Sequence, residues 1–152
     1  MQSLKGYVLC KPNAAFDAWA DKFADDWVRA NPQLATATQY FSGREQDALD
    51  RELTSQAPAQ RNKMIALARQ GLARLDKWMA GPLDENQRIS ASVMRWSLQN
   101  TVANERFEDH GFVFSQFSGA HISLVNFMNQ THPMRRAADV DSYLARLEQV
   151  AP

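Results

Sequence analysis

Several features that often reveal what a protein does are scarce or missing in this sequence. Cysteine occurs once, at Cys10, so an internal disulfide and a zinc site built from several cysteines are both excluded. An excess of charge is also missing, because 17 basic and 17 acidic residues give a net charge of zero. Nonspecific binding to nucleic acid or to an anionic membrane needs a surplus of Lys and Arg, so no nucleic-acid partner is expected.

Long hydrophobic runs and the motifs of common enzymes are missing as well. No apolar run approaches the roughly 20 residues that a helix needs to cross a membrane, so no membrane span is predicted. Before Cys10 only Tyr7, Val8 and Leu9 are apolar in succession, which is too short for the hydrophobic part of a signal peptide. The sequence has neither a glycine-rich phosphate loop nor a G-x-S-x-G nucleophile motif.

What the sequence does contain is a succession of amphipathic helical segments. We interpret residues 1–12 as a flexible leader and residues 13–152 as a single helical domain. Apolar residues that recur at spacings of three and four predict helices at residues 13–30, 45–53, 58–80, 84–106, 120–131 and 139–150. Residues 34–42 are predicted as a short helical turn or a loop. Proline after Asn31, Gly81 and His132 marks three of the helix ends.

The predicted fold is therefore all-α, an irregular bundle of about five or six helices with one aromatic loop. The loop holds Phe112, Phe114 and Phe117 between two glycines. Asp84 and Gln87 are spaced as a capping box, which would start the fourth of the predicted helices. The residues expected to form the core are Trp19, Phe23, Trp27, Leu72, Leu75, Trp96, Val125, Phe127 and Leu144.

The three histidines are the natural candidates for chemistry. His110, His121 and His132 are eleven residues apart, which is about three turns and would place them on one face of an unbroken helix. Gly111, Gly119 and Pro133 interrupt such a helix, and none of the histidines is followed by glutamate, so structural roles are preferred over a shared metal site. The residues that could line a cleft are His121, Asn126, His132 and Arg135.

Several segments together carry a resemblance to a known family. They are Asn31-Pro32 followed by Ala35-Thr36, SASVMRWSLQ at 90–99, residues 112–133 with QFSGAHISLVNFMNQTHP, and DVDSYLARL at 139–147. From about residue 16 to residue 151 the chain resembles the N-terminal portion of the bacterial family called domain of unknown function 885.

The resemblance implies a longer, mostly helical protein. Members of the family carry, further along, a histidine–glutamate helix motif that resembles the motif of zinc peptidases, and many are exported or lipid-anchored in the bacterial envelope. This sequence has no His-Glu pair. No catalytic residue, cofactor-binding residue or metal ligand is therefore assigned in this chain, zinc is expected only in full-length relatives, and the compartment stays open.

Three functional hypotheses remain. The preferred one is a non-catalytic N-terminal helical region of a metallopeptidase-like hydrolase, either a piece of a longer protein or a relative without the hydrolytic half. Its partner would be the missing C-terminal catalytic half or, through self-association, a second copy. The alternative is a stand-alone helical binding or interaction module, and the third is an enzyme that uses His121, His132 and Arg135. The preferred hypothesis predicts exposed apolar residues at 112–117 and at Leu144 and Leu147.

Overall fold

The computed structural model describes residues 11–112 and 114–150, and most of the predicted leader, residues 1–10, lies outside this part. The α-helices are α1 (Ala14–Arg29), α2 (Pro32–Thr38), α3 (Gly43–Leu49), α4 (Pro58–Met79), α5 (Glu85–Asn104), α6 (Ala120–Asn126) and α7 (Ala137–Glu148). A 3₁₀ turn, Glu105–His110, follows α5, and a π-helical turn, Phe127–Thr131, follows α6. The described residues include no strand, so the predicted all-α class is confirmed.

The described residues form seven α-helices, against the five or six predicted, and the additional helix is α2 at residues 32–38. Pro32 occupies the first turn of this helix, where a missing N–H costs nothing. The side chain of Asn31 caps the same end by accepting a hydrogen bond from the backbone N–H of Leu34 at 3.2 Å. The Asn-Pro pair therefore ends α1 and starts α2 within two residues.

The described residues form two compact units, and the boundaries between them fall inside α1, inside α4 and within the 3₁₀ turn that follows α5. Unit 1 contains residues 11–24 and 65–105, and unit 2 contains residues 25–64 and 106–150. The prediction of a single domain over residues 13–152 stays a prediction.

Unit 1 has a core of aromatic and small residues. Phe16 and Leu75 are almost completely buried, and the ring of Trp78 packs edge-on against Phe16 with 6.0 Å between centroids. Gly71 makes this packing possible, because a Cβ at that position would lie 2.7 Å from the Phe23 ring and 2.8 Å from the Leu98 side chain. A glycine there allows the side chains to approach α4 closely.

The start of α5 is fixed by the predicted capping box. The Asp84 carboxylate accepts a hydrogen bond from the backbone N–H of Gln87 at 2.7 Å, and the Gln87 side chain accepts one from the backbone N–H of Asp84 at 3.3 Å. Gln87 also bonds the backbone N–H and C=O of Asn13, at 2.9 and 3.1 Å. One buried amide therefore caps α5 and ties it to the beginning of α1.

The predicted core is partly wrong. Leu75 and Phe127 are buried, and Trp19, Phe23, Trp27 and Leu72 are half-buried. Three residues are instead exposed, namely Trp96 at 68%, Val125 at 56% and Leu144 at 51%. On α5 and α7 the helix buries a different face from the one its most apolar stripe suggested, and on α5 the inward face is formed by Gln87, Ala91 and Leu98. On α6, which carries Val125, no residue is buried.

Candidate functional site

The structure separates the four residues that the sequence offered as cleft candidates. His132 is buried in unit 2, whereas His121, Asn126 and Arg135 are exposed. The His121 ring lies against the Phe114 ring, with 5.2 Å between centroids. Asn126 ends α6, and the backbone N–H of Arg135 donates to the carboxylate of Asp139. Of the four, only His132 belongs to a cluster of buried polar side chains.

Both ring nitrogens of His132 are occupied. Nδ1 lies 2.6 Å from Nη1 of Arg146, and because a guanidinium can only donate, Nδ1 accepts this hydrogen bond and carries no proton. Nε2 lies 3.1 Å from the backbone oxygen of Asp139 and therefore donates to it. His132 offers no lone pair to a metal or a substrate in this arrangement.

Arg146, on α7, is the centre of the buried cluster and has no solvent exposure at all. Besides His132, its guanidinium donates to Thr36 Oγ1 at 2.6 Å, to the Leu49 carbonyl at 3.0 Å and to the Glu52 carbonyl at 2.9 Å. The guanidinium also lies 4.9 Å from the centroid of the Phe127 ring. A single side chain thus joins α2, the end of α3, the π-helical turn and α7.

The charge of Arg146 is balanced through Thr36. The Thr36 hydroxyl, which accepts from Arg146, lies 2.6 Å from the carboxylate of buried Asp50, and Gln46 Nε2 donates to the same carboxylate oxygen at 2.8 Å. Burial lowers the pKa of Arg146 to about 10, against the smaller raising effect of Asp50. The guanidinium is therefore still charged at neutral pH, and the cluster is a satisfied buried ion network.

Asp139 anchors the beginning of α7. Its carboxylate accepts the backbone N–H groups of Arg135 and Arg136 at 2.7 and 2.8 Å, and the Arg136 side chain at 3.0 Å. Burial alone raises the pKa of Asp139, but the hydrogen bonds and the positive charge of Arg136 together outweigh it and hold this pKa below its ordinary value. The ionised form of Asp139 is the one that the fold stabilises.

This pKa shift predicts a component of acid unfolding. A carboxylate whose pKa is lower in the folded than in the unfolded chain stabilises the fold above the unfolded-state pKa of about 3.9, and this contribution is lost as the pH falls through the folded-state pKa. The Asp139→Asn variant should lack this component. When the pH is lowered from about 5 to about 3, the urea midpoint of the variant should therefore fall less than that of the native chain. The exposed Asp141→Asn is the control, and an equal fall for native and Asp139→Asn chains would contradict the prediction.

The packing of α7 is inverted relative to its sequence pattern. Its buried residues are the polar Asp139, Ser142 and Arg146. Its apolar residues Val140, Leu144 and Leu147, which we call the α7 stripe, are exposed. A surface helix ordinarily turns its apolar stripe toward the core. The α7 stripe instead faces outward, and none of the described residues covers it.

A second apolar surface left uncovered by the described residues is the aromatic loop, which is described at residues 111–112 and 114–119. Phe112 is 93% exposed and Phe117 is 86% exposed. The loop is nevertheless held by hydrogen bonds, because the Ser115 hydroxyl bonds the backbone C=O and N–H of Ser118 at 2.8 and 3.0 Å. Gly119 ends the loop with a φ of 139°, a backbone conformation that residues with a Cβ rarely adopt. Phe117 therefore lies within a hydrogen-bonded turn from Ser115 to Ser118.

An open groove of about 910 Å³ in unit 2 connects the aromatic loop with the end of the described chain. Its apolar lining includes Phe112, Leu124, Leu53 and Val150, and its polar lining includes Ser123 and Gln149. Within the connection between α3 and α4, the backbone N–H of Leu53 is bonded to the side chain of Gln149 at 2.9 Å. The groove has the size of a ligand pocket and a mixed polar and apolar wall.

Comparison with known proteins identifies the class of this chain. Residues 32–152 match the family model described as bacterial protein of unknown function (DUF885), and the chain belongs to that family. The match covers α2 to α7, and it includes the buried cluster around Arg146 and the aromatic loop. No curated protein and no solved structure matches the chain.

The described residues do not fit the zinc ion that the resemblance implies for full-length relatives. Residues 11–112 and 114–150 contain no group of three or more His, Cys, Asp or Glu side chains placed to hold a metal. His132, the one buried histidine, has both nitrogens in hydrogen bonds. No helix in the described part is long and apolar enough to span a membrane, in agreement with the sequence prediction.

Proposed function

We propose that this chain is the non-catalytic helical region of a metallopeptidase-like hydrolase, and that it packs against the catalytic half of that protein. The observation that carries the proposal is the inverted packing of α7, whose polar face is buried while Val140, Leu144 and Leu147 face solvent. Covering apolar surface contributes about 25 cal/mol per Å². Burial of the α7 stripe and the aromatic loop against a partner therefore contributes favourable free energy to binding.

The charged residues beside the α7 stripe indicate the kind of surface that a partner would present. Asp141 is three residues before Leu144 and Glu148 is four residues after it, so both carboxylates border the stripe. Near the aromatic loop, Asp109 is exposed, and its Oδ1 lies 3.9 Å from Nη1 of Arg61. Acidic borders oppose insertion into an anionic membrane, which needs Lys and Arg. They favour a protein surface with an apolar centre and basic residues around it.

Binding in trans tests this proposal. The segment of a full-length family member that contains the histidine–glutamate motif is produced separately and titrated with this chain in a calorimeter. We expect one-to-one binding, and Leu144→Asp should weaken it at least about tenfold, because a carboxylate replaces an apolar contact. Val93→Asp, which changes an exposed residue of α5, is the matched control and should bind like the native chain.

Two outcomes would overturn the proposal: no binding by the native chain, or equal binding by native and Leu144→Asp chains. Circular dichroism accompanies each titration to establish that the variants are folded. Both substituted positions are exposed, so neither change should disturb the fold by more than about 0.5 kcal/mol.

The alternative function is a stand-alone binding module, and one observation favours it, namely the groove of about 910 Å³. Its mixed lining suits a small molecule or a short peptide with both apolar and polar groups. This alternative predicts that an apolar dye binds the isolated chain in the groove and that Phe112→Ala weakens the binding, while Leu144→Asp leaves it unchanged. The reverse order of effects would exclude the groove as the site.

A further inference from the structure

One wall of the groove in unit 2 is formed by residues 52–56, which we call the wall segment and which form neither a helix nor a turn. The side-chain amide of Gln149 pairs with the beginning of this segment. Its Oε1 accepts from the backbone N–H of Leu53 at 2.9 Å, and its Nε2 donates to the C=O of Arg51 at 2.7 Å. These two hydrogen bonds flank Glu52, as the two bonds from one residue of a parallel β-strand would.

The backbone edge that Gln149 uses continues along the wall segment. The C=O of Glu52 accepts from Arg146 and not from Gln149, so successive residues bond partners on different sides, as in an extended chain. The next groups on the Gln149 side are the C=O of Leu53 and the N–H of Ser55, and both residues line the groove. Neither group has a hydrogen bond to any described residue. Backbone groups left in this way are a template for another extended chain.

Other parts of the groove lining are apolar. Phe112, from the aromatic loop, and Leu124, from α6, both line the groove, and Phe112 is 93% exposed. The side chains of an extended peptide alternate between its two faces, so every second side chain can point toward these residues. A peptide with apolar side chains at alternate positions would therefore cover the exposed ring of Phe112.

The charge of the groove favours one direction for such a peptide. Among the described lining residues Arg61 is the charged one, and it follows the wall segment in the first turn of α4. Its Nη1 lies 3.9 Å from Oδ1 of Asp109, but a guanidinium has several donors and can bind a further carboxylate. A peptide parallel to the wall segment brings its C-terminus toward Arg61. An antiparallel peptide would bring its N-terminal amine there, against a like charge.

We propose that the groove binds the C-terminal end of an extended peptide that runs parallel to the wall segment. The peptide backbone pairs with Leu53 and Ser55, the terminal carboxylate binds Arg61, and an apolar side chain packs on Phe112. Addition of an extended chain to an open backbone edge is a recurring mode of peptide recognition. The inference rests on the alternative function, the binding module, and it names the ligand class of that module. Because two paired segments alone are only marginally stable, we expect a dissociation constant between about 10 µM and 1 mM.

Fluorescence anisotropy with labelled hexapeptides tests the inference. The probes alternate threonine with valine, leucine or phenylalanine, so each is a good strand former with one apolar face. Each probe is made with a free C-terminal carboxylate and with a C-terminal amide. The native chain should bind at least one free acid with saturation below about 1 mM, and it should bind the matching amide at least about fivefold more weakly.

N-methylation of the same probes tests the backbone pairing. A methyl group on one peptide nitrogen removes one backbone donor, and in an extended pairing only alternate residues direct their N–H toward the neighbouring chain. When the methyl group is moved along the peptide, it should therefore weaken binding at every second position and have little effect at the positions between them.

Matched variants of the whole chain locate the site. Arg61→Gln should remove the preference for the free acid over the amide, whereas Arg44→Gln, on an exposed residue of α3 outside the groove lining, should keep it. Phe112→Ala should raise the dissociation constant at least about threefold. Phe117→Ala changes an exposed ring of the same loop that is not among the lining residues, and it should bind like the native chain. Circular dichroism should show the native helix content in every variant.

The inference is overturned if no free acid binds with saturation below about 1 mM, if acid and amide bind equally, or if the effect of N-methylation does not alternate. Leu144→Asp should bind the peptides like the native chain, because it changes the α7 stripe and not the groove. Failure of the packing proposal for α7 is therefore a separate result. A dye that binds in the groove when no peptide does would keep the alternative function and remove this inference.

Discussion

Replacing Arg146 with alanine is expected to lower the free energy of unfolding by about 3–5 kcal/mol, because it breaks a buried ion network from one side. The change removes the donor to His132 Nδ1, Thr36 Oγ1 and two backbone carbonyls in one step. It also leaves the carboxylate of Asp50 buried without its cation. Urea unfolding followed by circular dichroism measures the loss.

Two further variants separate the causes of this effect. Arg146→Met keeps most of the volume of the side chain but none of its donors, so it should still lose most of the stability if hydrogen bonding and charge dominate. Arg135→Ala removes an exposed arginine 11 residues earlier and should change stability by no more than about 0.5 kcal/mol. A small loss for Arg146→Ala, similar to that of Arg135→Ala, would contradict the structural role of the cluster.

Local signals in the sequence predicted the helices well. Proline and glycine set several boundaries, and Asp84 with Gln87 formed the predicted capping box. These features depend on residues within a few positions of one another, so periodicity and capping rules can detect them. The additional helix α2 overlaps residues 34–42, which were predicted as either a short helical turn or a loop. It begins at Pro32, because proline favours the first turn of a helix as well as ending the helix before it.

Which face of a helix is buried could not be predicted in the same way. The pattern rule assumes that the most apolar stripe faces the core, and α5 and α7 both break this assumption by exposing Trp96 and Leu144. On α5 the contact instead uses Ala91, and Gly71 on α4 leaves room for the Leu98 side chain. Packing against small residues depends on the partner helix, which the sequence of α5 does not describe.

The Arg146 cluster was missed because it joins residues far apart in sequence. Thr36 and Arg146 are 110 residues apart, and their hydrogen bond has no local signature. One weak signal was available: Asp139, Ser142 and Arg146 share a face of α7, so a polar stripe lay opposite the apolar one. The rule that charged residues face solvent made that stripe seem exposed, whereas the four hydrogen-bond partners of Arg146 stabilise its burial.

The two units share one trait that links fold to function. Each has a helix with an apolar stripe toward solvent, α5 in unit 1 and α7 in unit 2, and the two stripes differ in their borders. On α5 the exposed apolar residues are Ile89, Val93 and Trp96, with Glu85 four residues before Ile89, whereas the α7 stripe is bordered by Asp141 and Glu148. Both helices therefore expose apolar residues that the described part of the chain does not cover.

A matched pair of leucines tests this description of the core and the surface. Leu75 has no exposed surface in unit 1, whereas Leu144 is 51% exposed on the α7 stripe. Leu75→Ala should lower the free energy of unfolding by about 2–5 kcal/mol, because the lost contacts are joined by the cost of a cavity that the surrounding helices fill only partly.

Leu144→Ala removes the same atoms from a position that already contacts water, so no cavity forms and the loss should stay within about 0.5 kcal/mol. Urea unfolding at a low chain concentration of about 1 µM keeps any self-association out of the comparison. Equal losses at the two positions would mean that the α7 stripe is packed in solution. A large loss at Leu75 alone establishes that the uncovered leucine is surface available to a partner rather than part of the core.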